Sequence, residues 1–390
     1  MSISGNASTR SHAMDPHSLE ALKPGSELSE RIAHFIRDSI DLDSRPPSVE
    51  ASSVWTRINQ VNTSLWLDSG NFASLSSVWS DSYQGVTTNN TLINAEVQRG
   101  TYDDLIAQAS GLVESLDDRD RIRELAFILN ARHALRLVER FRCQVSIELH
   151  TDLAHDVEAT VTYARRCHEI CPEFFIVKVP FTPAGLIAIR ELRRDGIRIN
   201  CTLGFSARQN YFATALSAPS FVNVFLGRLN SYVSDNALGD GALVGEKATI
   251  ASQQEVSTFT RGLPRVDTQQ IAASVRNAEQ LPRLAGVDVI TMPTEVAEEA
   301  TVSLSEVWVS RLNDEYRIEL NDDVAEESVR LEKLWEVSKQ ERNFAQKIIL
   351  HPPESEEELV EGARALQLND LFPSLSDDEL QAIADDGKIP

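Results

Sequence analysis

Short apolar runs recur along this chain, separated by longer stretches in which apolar residues return at helical spacing. From about residue 60 the runs TSLWLD (63–68), GVTT (85–88), CQVSIEL (143–149), FFIVKV (174–179), IRINCTL (197–203), FVNVFL (221–226), QQIAAS (269–274) and VDVITM (287–292) read as strands. Between them lie helical segments such as Asp118–Phe141 and Asp156–Ile170, and a third that opens at Pro183, a residue tolerated in the first turn, and runs to Asp195-Gly196. Strands alternating with helices build right-handed βαβ units around a parallel sheet, and eight such units in about 240 residues predict an α/β fold, a single (β/α)8 TIM barrel. The rival is an open doubly wound sheet. It needs a glycine-rich phosphate loop after an early strand, and neither G-x-G-x-x-G nor G-x-x-x-x-G-K-[ST] occurs.

The same pattern divides the chain. Residues 1–50 read as a Ser-rich flexible leader plus one short amphipathic helix, Ser29–Ile40, ending before Pro46-Pro47, and the whole segment reads as peripheral. Residues 51–349 form the barrel and its closing helix, with Ser328–Gln346 predicted as one long helix. Residues 350–390 are an acidic extension, in which SLSDDEL places a serine before an acidic first turn, a helix N-terminus. The stretch from Gly241 to Ala248 reads as a flexible loop bordering the site. There are no internal repeats.

Composition sharpens this picture. With 390 residues, 42% of them hydrophobic, the chain builds a sizeable core. Its 59 acidic and 37 basic side chains give a formal net charge of −22, which excludes broad binding to nucleic acid or anionic membranes. The charge is uneven. Residues 295–390 hold 25 acidic and 9 basic side chains, or −16 of the total, so the barrel is only mildly acidic and the C-terminal segment offers a surface to a protein partner. The four cysteines, Cys143, Cys167, Cys171 and Cys201, lie in apolar or helical surroundings, which fits a reducing compartment. No secretory-type apolar run opens the chain and no window approaches the ~18 apolar residues of a membrane span, so a cytoplasmic location is expected.

Among seven lysines, Lys178 is alone between Lys23 and Lys247, inside the apolar run FFIVKVPF. On a strand it shares a face with Phe174 and Ile176. An ammonium buried there is costly unless it becomes neutral, and a desolvated amine is the nucleophile that forms Schiff bases with carbonyls. A lysine guarding a strand edge is the bland reading. Other strands tip the balance: Gln144, Ser146 and Glu148 alternate with Val145 and Ile147, Asn200 alternates with Ile199 and Cys201, and Asp68 ends a strand. Polar groups thus gather near the C-terminal ends of several strands, where barrel enzymes place their chemistry.

Several segments carry a resemblance. IVKVPFTPAGLIAIRELRRDGIRINCTLGFS followed by FVNVFLGRL, together with WLD, GVTTN, VSIEL and ASVRN before TMP, resembles the transaldolase family of Schiff-base aldolases over about residues 60–300. The resemblance implies that Lys178 is the Schiff-base lysine, that Glu148 and Thr202 hold a water shuttling protons, and that Asp68 assists carbon–carbon cleavage. It implies that Asn89 and Asn200 bind the hydroxyls of a three-carbon fragment, with Ser206, Asn223 and Phe225 in the same substrate set, and that Arg228, Ser274 and Arg276 hold a phosphate. It implies sugar-phosphate substrates, no metal and no organic cofactor, and is compatible with a homodimer. Two positions depart from the family: Asn90 stands where it has proline, and Asn223 where it has serine. Phe225 is the residue of the transferases, whereas the related fructose 6-phosphate aldolases carry tyrosine there.

The expected activity is therefore transfer of a dihydroxyacetone unit from sedoheptulose 7-phosphate or fructose 6-phosphate to an aldose phosphate, a pentose phosphate pathway reaction. An aldolase releasing free dihydroxyacetone is one alternative, and a silent sugar-phosphate-binding scaffold is another. Cys167, His168 and Cys171 have ligand chemistry, but on a helix the cysteines share a face that His168 does not, so helix packing is the better reading. His150 and His155 flank the loop after the third strand and are placed at the pocket mouth.

Overall fold

Eight strands form where the apolar runs place them: β1 Ser64–Asp68, β2 Tyr83–Thr87, β3 Gln144–Glu148, β4 Phe175–Pro180, β5 Ile199–Thr202, β6 Phe221–Phe225, β7 Gln269–Ala273 and β8 Val289–Pro293. They pair in parallel in chain order and close into a barrel through β1 and β8, with Leu65 opposite Ile290 and Asp68 opposite Pro293. The structure is a computed structural model and describes residues 14–373 except 45, 264 and 306. The Ser-rich start, residues 1–13, and the SLSDDEL helix lie outside the described residues.

Alternation along each strand sorts side chains between two cores. Leu65, Leu67, Val145, Ile147, Val177 and Val179 face outward and pack beneath the helices. Trp66, Ile176, Phe221, Ile271, Ala273 and Val289 point inward and fill the barrel axis, with Trp66 set edge-on to Phe221 at 5.2 Å. Gly85 makes room for this plug, since a Cβ there would lie 2.6 Å from the Trp66 ring. The plug blocks the barrel from below, so an inward polar group can meet a ligand only at the C-terminal ends of the strands.

The helices Asp118–Phe141 and Pro183–Arg194 match their predicted positions, and Asp156 caps the helix Val157–Ile170. Three expectations fail. The N-terminal segment is no loose appendage: it forms two helices, Pro16–Leu22 and Glu27–Arg37, that bury Leu22, Ile32 and Ile36 completely, and Ser29 Oγ accepts from Arg166 Nε at 3.1 Å. Gly241–Ala248 is not a loop throughout, because the helix Val244–Gly262 begins within it, its Gly245 N–H donating to Asn230 Oδ1 at 2.7 Å. Ser328–Gln346 is not one helix. Arg330 turns the backbone to φ 56°, and a capping box formed by Ser338 and Glu341 starts the separate helix Lys339–Leu350.

Beyond it, the helix Glu356–Arg364 packs on Pro183–Arg194. Leu359, Ala363, Leu368, Leu371 and Phe372 are buried with it. No helix among the described residues is long and apolar enough to cross a membrane.

Candidate active site

The C-terminal ends of β1, β2, β4, β5, β6, β7 and β8 surround one cavity of about 170 Å³. Nine predicted site residues line it: Asp68, Asn89, Lys178, Asn200, Asn223, Phe225, Arg228, Ser274 and Arg276. Glu148 and Thr202 stand close by on their strands without lining it, and Glu148 is the ladder partner of Lys178. Ser206 is elsewhere. It caps the helix Ala207–Ser217 by accepting from Gln209 N–H at 3.2 Å, and its hydroxyl donates to Gln209 Oε1.

Lys178 is 7% exposed. Its Nζ donates to the Thr88 carbonyl at 2.7 Å, reaching past β3 to the end of β2, and among the described residues no carboxylate pairs with it. On its other side the ladder continues to Asn200, whose carboxamide is fixed in orientation: Nδ2 donates to Ser146 Oγ at 3.1 Å, and Oδ1 accepts from Asn223 Nδ2 at 2.9 Å. The second Asn223 amide hydrogen goes to the Cys201 carbonyl at 3.2 Å. Asn223 thus acts on the cavity mainly by holding Asn200.

Asp68 is oriented by two threonines outside the predicted site set. Thr87 Oγ1 donates to Asp68 Oδ1 at 2.6 Å and lies 2.8 Å from Thr291 Oγ1, so Thr291 donates to Thr87 in turn. Their signal was present: each is a polar residue in an apolar strand, in phase with inward-facing Gly85 and Val289. Ser146, on the polar face of β3, meets Asn200 across β4, a pairing that only the closed barrel brings about.

Across the cavity, Arg228 lies over the Phe225 ring at 5.4 Å, and neither Arg228 nor Arg276 is ion-paired among the described residues. Gly227 brings this wall together. A Cβ there would sit 2.1 Å from the Ser274 carbonyl and 2.8 Å from the Arg276 side chain, so only glycine lets the turn after β6 touch the end of β7. Ser274 itself adopts φ 65°, and Leu203 after β5 does the same. Such strained backbone next to a cavity costs on the order of 1–3 kcal/mol and is held by its surroundings.

The remaining candidates fall outside the cavity. All four cysteines are reduced and buried, and burial pushes the Cys167 and Cys201 thiols up to about 12. His150 lines a separate apolar cleft with Asn90 and Asn130, and His155 is exposed.

A buried lysine beside a glutamate and a fixed carboxamide, facing two arginines, none of the three cations ion-paired among the described residues, has the chemistry to take up a carbonyl compound bearing an anion. Residues 65–349 match the transaldolase/fructose-6-phosphate aldolase family. The chain belongs to that family. It is 29% identical over 222 residues to the transaldolase of Xanthomonas euvesicatoria pv. vesicatoria (strain 85-10), covering 54% of this chain and 68% of the relative. It is 28% identical over 241 residues to that of Chlamydia felis (strain Fe/C-56), covering 59% and 72%. It is 26% identical over 234 residues to that of Trichormus variabilis (strain ATCC 29413 / PCC 7937), covering 57% and 69%. As a member of the transaldolase/fructose-6-phosphate aldolase family, it is an enzyme of the aldolase or transferase type. The match ends before the helix Glu356–Arg364, so the docked C-terminal segment lies beyond the family's common part.

Proposed function

We propose that the protein is a transaldolase, moving a dihydroxyacetone unit from sedoheptulose 7-phosphate or fructose 6-phosphate to glyceraldehyde 3-phosphate or erythrose 4-phosphate, as in the pentose phosphate pathway. The observation that carries this reading is Lys178, enclosed in a cavity with no carboxylate partner among the described residues and flanked on its ladder by Glu148 and Asn200. As the neutral amine, it adds to the ketone carbon, and loss of water leaves a protonated imine. Asp68 takes the proton of the C4 hydroxyl, the C3–C4 bond breaks, its electrons enter the imine, and an aldose phosphate leaves. The enamine then attacks the carbonyl carbon of the second aldose phosphate, and water hydrolyses the new imine to release the product ketose.

Asn89 and Asn200 are suited to the fragment's hydroxyls, and Arg228, Ser274 and Arg276 to the phosphate, whose oxygens match forked guanidinium donors. Phe225 supports transfer over cleavage. Its ring offers no hydroxyl to protonate the enamine, and Arg228 covers its face. Borohydride added with fructose 6-phosphate is expected to leave a three-carbon fragment on Lys178 by peptide mass spectrometry, and Lys178→Ala to lose activity by roughly a thousandfold or more. An unmodified lysine, or full activity in the alanine variant, sinks the mechanism. Dihydroxyacetone released at the full rate without an acceptor aldehyde identifies an aldolase instead.

A further inference from the structure

Glu148 and Lys178 are neighbours in the barrel ladder and point into the same interior, yet among the described residues they do not pair. A carboxylate and a lysine amine set side by side where water is scarce pair readily, so their separation has a cause. The cause lies at the start of the helix Asn90–Gln98. Asn89 caps that helix, its Oδ1 accepting from Leu92 N–H at 2.9 Å, which leaves the Asn90 N–H at the first helical position with no partner inside the helix. That N–H donates to Glu148 Oε2 at 2.8 Å. The Asn90 side chain pins the arrangement from outside the barrel: Nδ2 donates to the Leu149 carbonyl at 3.0 Å, and Oδ1 accepts from buried Asn130 at 3.3 Å.

We infer that Asn90 is a positioning residue: its backbone N–H ties Glu148 to the helix terminus and so keeps the lysine amine of the active site out of an ion pair. The inference rests on the proposed role of Lys178. Proline, the residue that the family resemblance places here, has no N–H to give, so this tether belongs to the present chain and not to the common pattern. The lysine's surroundings define what can replace the tether. Asp68, Glu148, Arg228 and Arg276 are the charged groups around it, and Asp68 is already bound by Thr87. Glu148 is therefore the carboxylate that would move onto Lys178 once released.

Two substitutions separate the N–H from the side chain. Asn90→Ala removes the contacts to Leu149 and Asn130 but keeps the N–H; Asn90→Pro removes both, and proline suits the first helical position. Competitive labelling of Lys178 with trace acetic anhydride as a function of pH, in protein without substrate, reads the amine directly. The labelling midpoint of Asn90→Pro is expected about one pH unit above wild type, the low end of what a new carboxylate neighbour produces, with Asn90→Ala unchanged. Coincident midpoints for the two variants overturn the proposal. Should the proline variant not fold, the Asn90 amide proton of labelled wild-type protein provides the second measurement: it is expected to shift as Glu148 is protonated and to stay still in Glu148→Gln. An amide indifferent to that substitution overturns the tether. Neither measurement needs turnover, so a missing borohydride adduct on Lys178 would sink the transaldolase reading without touching this result.

Discussion

At the scale of single residues, His133 is one place where the chain stores acid sensitivity. His133 is fully buried in the helix Asp118–Phe141, with Nδ1 2.6 Å from the Tyr102 hydroxyl and its ring 5.0 Å from Phe72. Burial, helped by the nearby Arg136 charge, pushes its pKa down to about 3. The unfolded chain takes up that proton near 6.5, so between these values the unfolded state binds more protons. The stability this neutral ring contributes is complete above about pH 6.5 and falls by about 1.4 kcal/mol per pH unit as the solution is acidified towards pH 3. Urea unfolding as a function of pH is expected to show a shallower slope in His133→Gln, and an unchanged slope removes His133 from the account. Residues of this kind were hard to read in sequence, because an isolated histidine on a helix looks the same whether buried or exposed. Lys178 was legible for the opposite reason: a lysine in an apolar run is anomalous. Thr87 and Thr291 are neither apolar nor ionisable, and only the closed barrel brings their hydroxyls together beside Asp68.

At the scale of elements, the strands were legible because parallel strands buried on both faces appear as near-continuous apolar runs. β2 begins earlier than its predicted start, at Tyr83, since Gly85 looks like a turn in sequence but serves here to admit the Trp66 ring. The failures have the same physical form. The helix Val244–Gly262 takes its N-terminal partner from Asn230, a contact between elements that no local window contains, whereas the Ser338–Glu341 box that starts a new helix inside the predicted long one is a local S-x-x-E pattern embedded in a stretch of helix-forming residues. Contacts between element ends also govern the anion side of the cavity. Gly227→Ala is expected to force the turn after β6 off the end of β7, displacing Ser274 and Arg276 at a cost of about 1–3 kcal/mol. Under the proposed function this raises KM for phosphorylated sugars by roughly tenfold or more. Borohydride trapping on Lys178 at saturating ketose should persist, and an unchanged KM would detach this wall from phosphate binding.

At the scale of the whole molecule, the acidic C-terminal segment is joined to the barrel. Arg208, buried at the start of the helix Ala207–Ser217, holds Asp370 with two bonds of 2.7 and 2.9 Å and also pairs with Glu341. Phe372 stacks on Phe181 at 5.8 Å and meets Phe212 edge-on. The Arg208 guanidinium holds the Asp370 carboxyl down at about 2. The stability this pair contributes is therefore present above about pH 3.8 and disappears as pH falls towards 2. Asp370 is partly open to water, which screens the effect, so Asp370→Asn is expected to lower Tm at neutral pH by only about 1–2 °C, with the difference closing in acid. Scanning calorimetry at several pH values tests both. Phe181 directly follows β4, three residues from Lys178, and Phe372 lies about half the chain length away in sequence. During synthesis the lysine strand and its neighbours emerge well before Phe372, so the ring stack that fastens the C-terminal segment beside β4 is among the last contacts of the described chain to form.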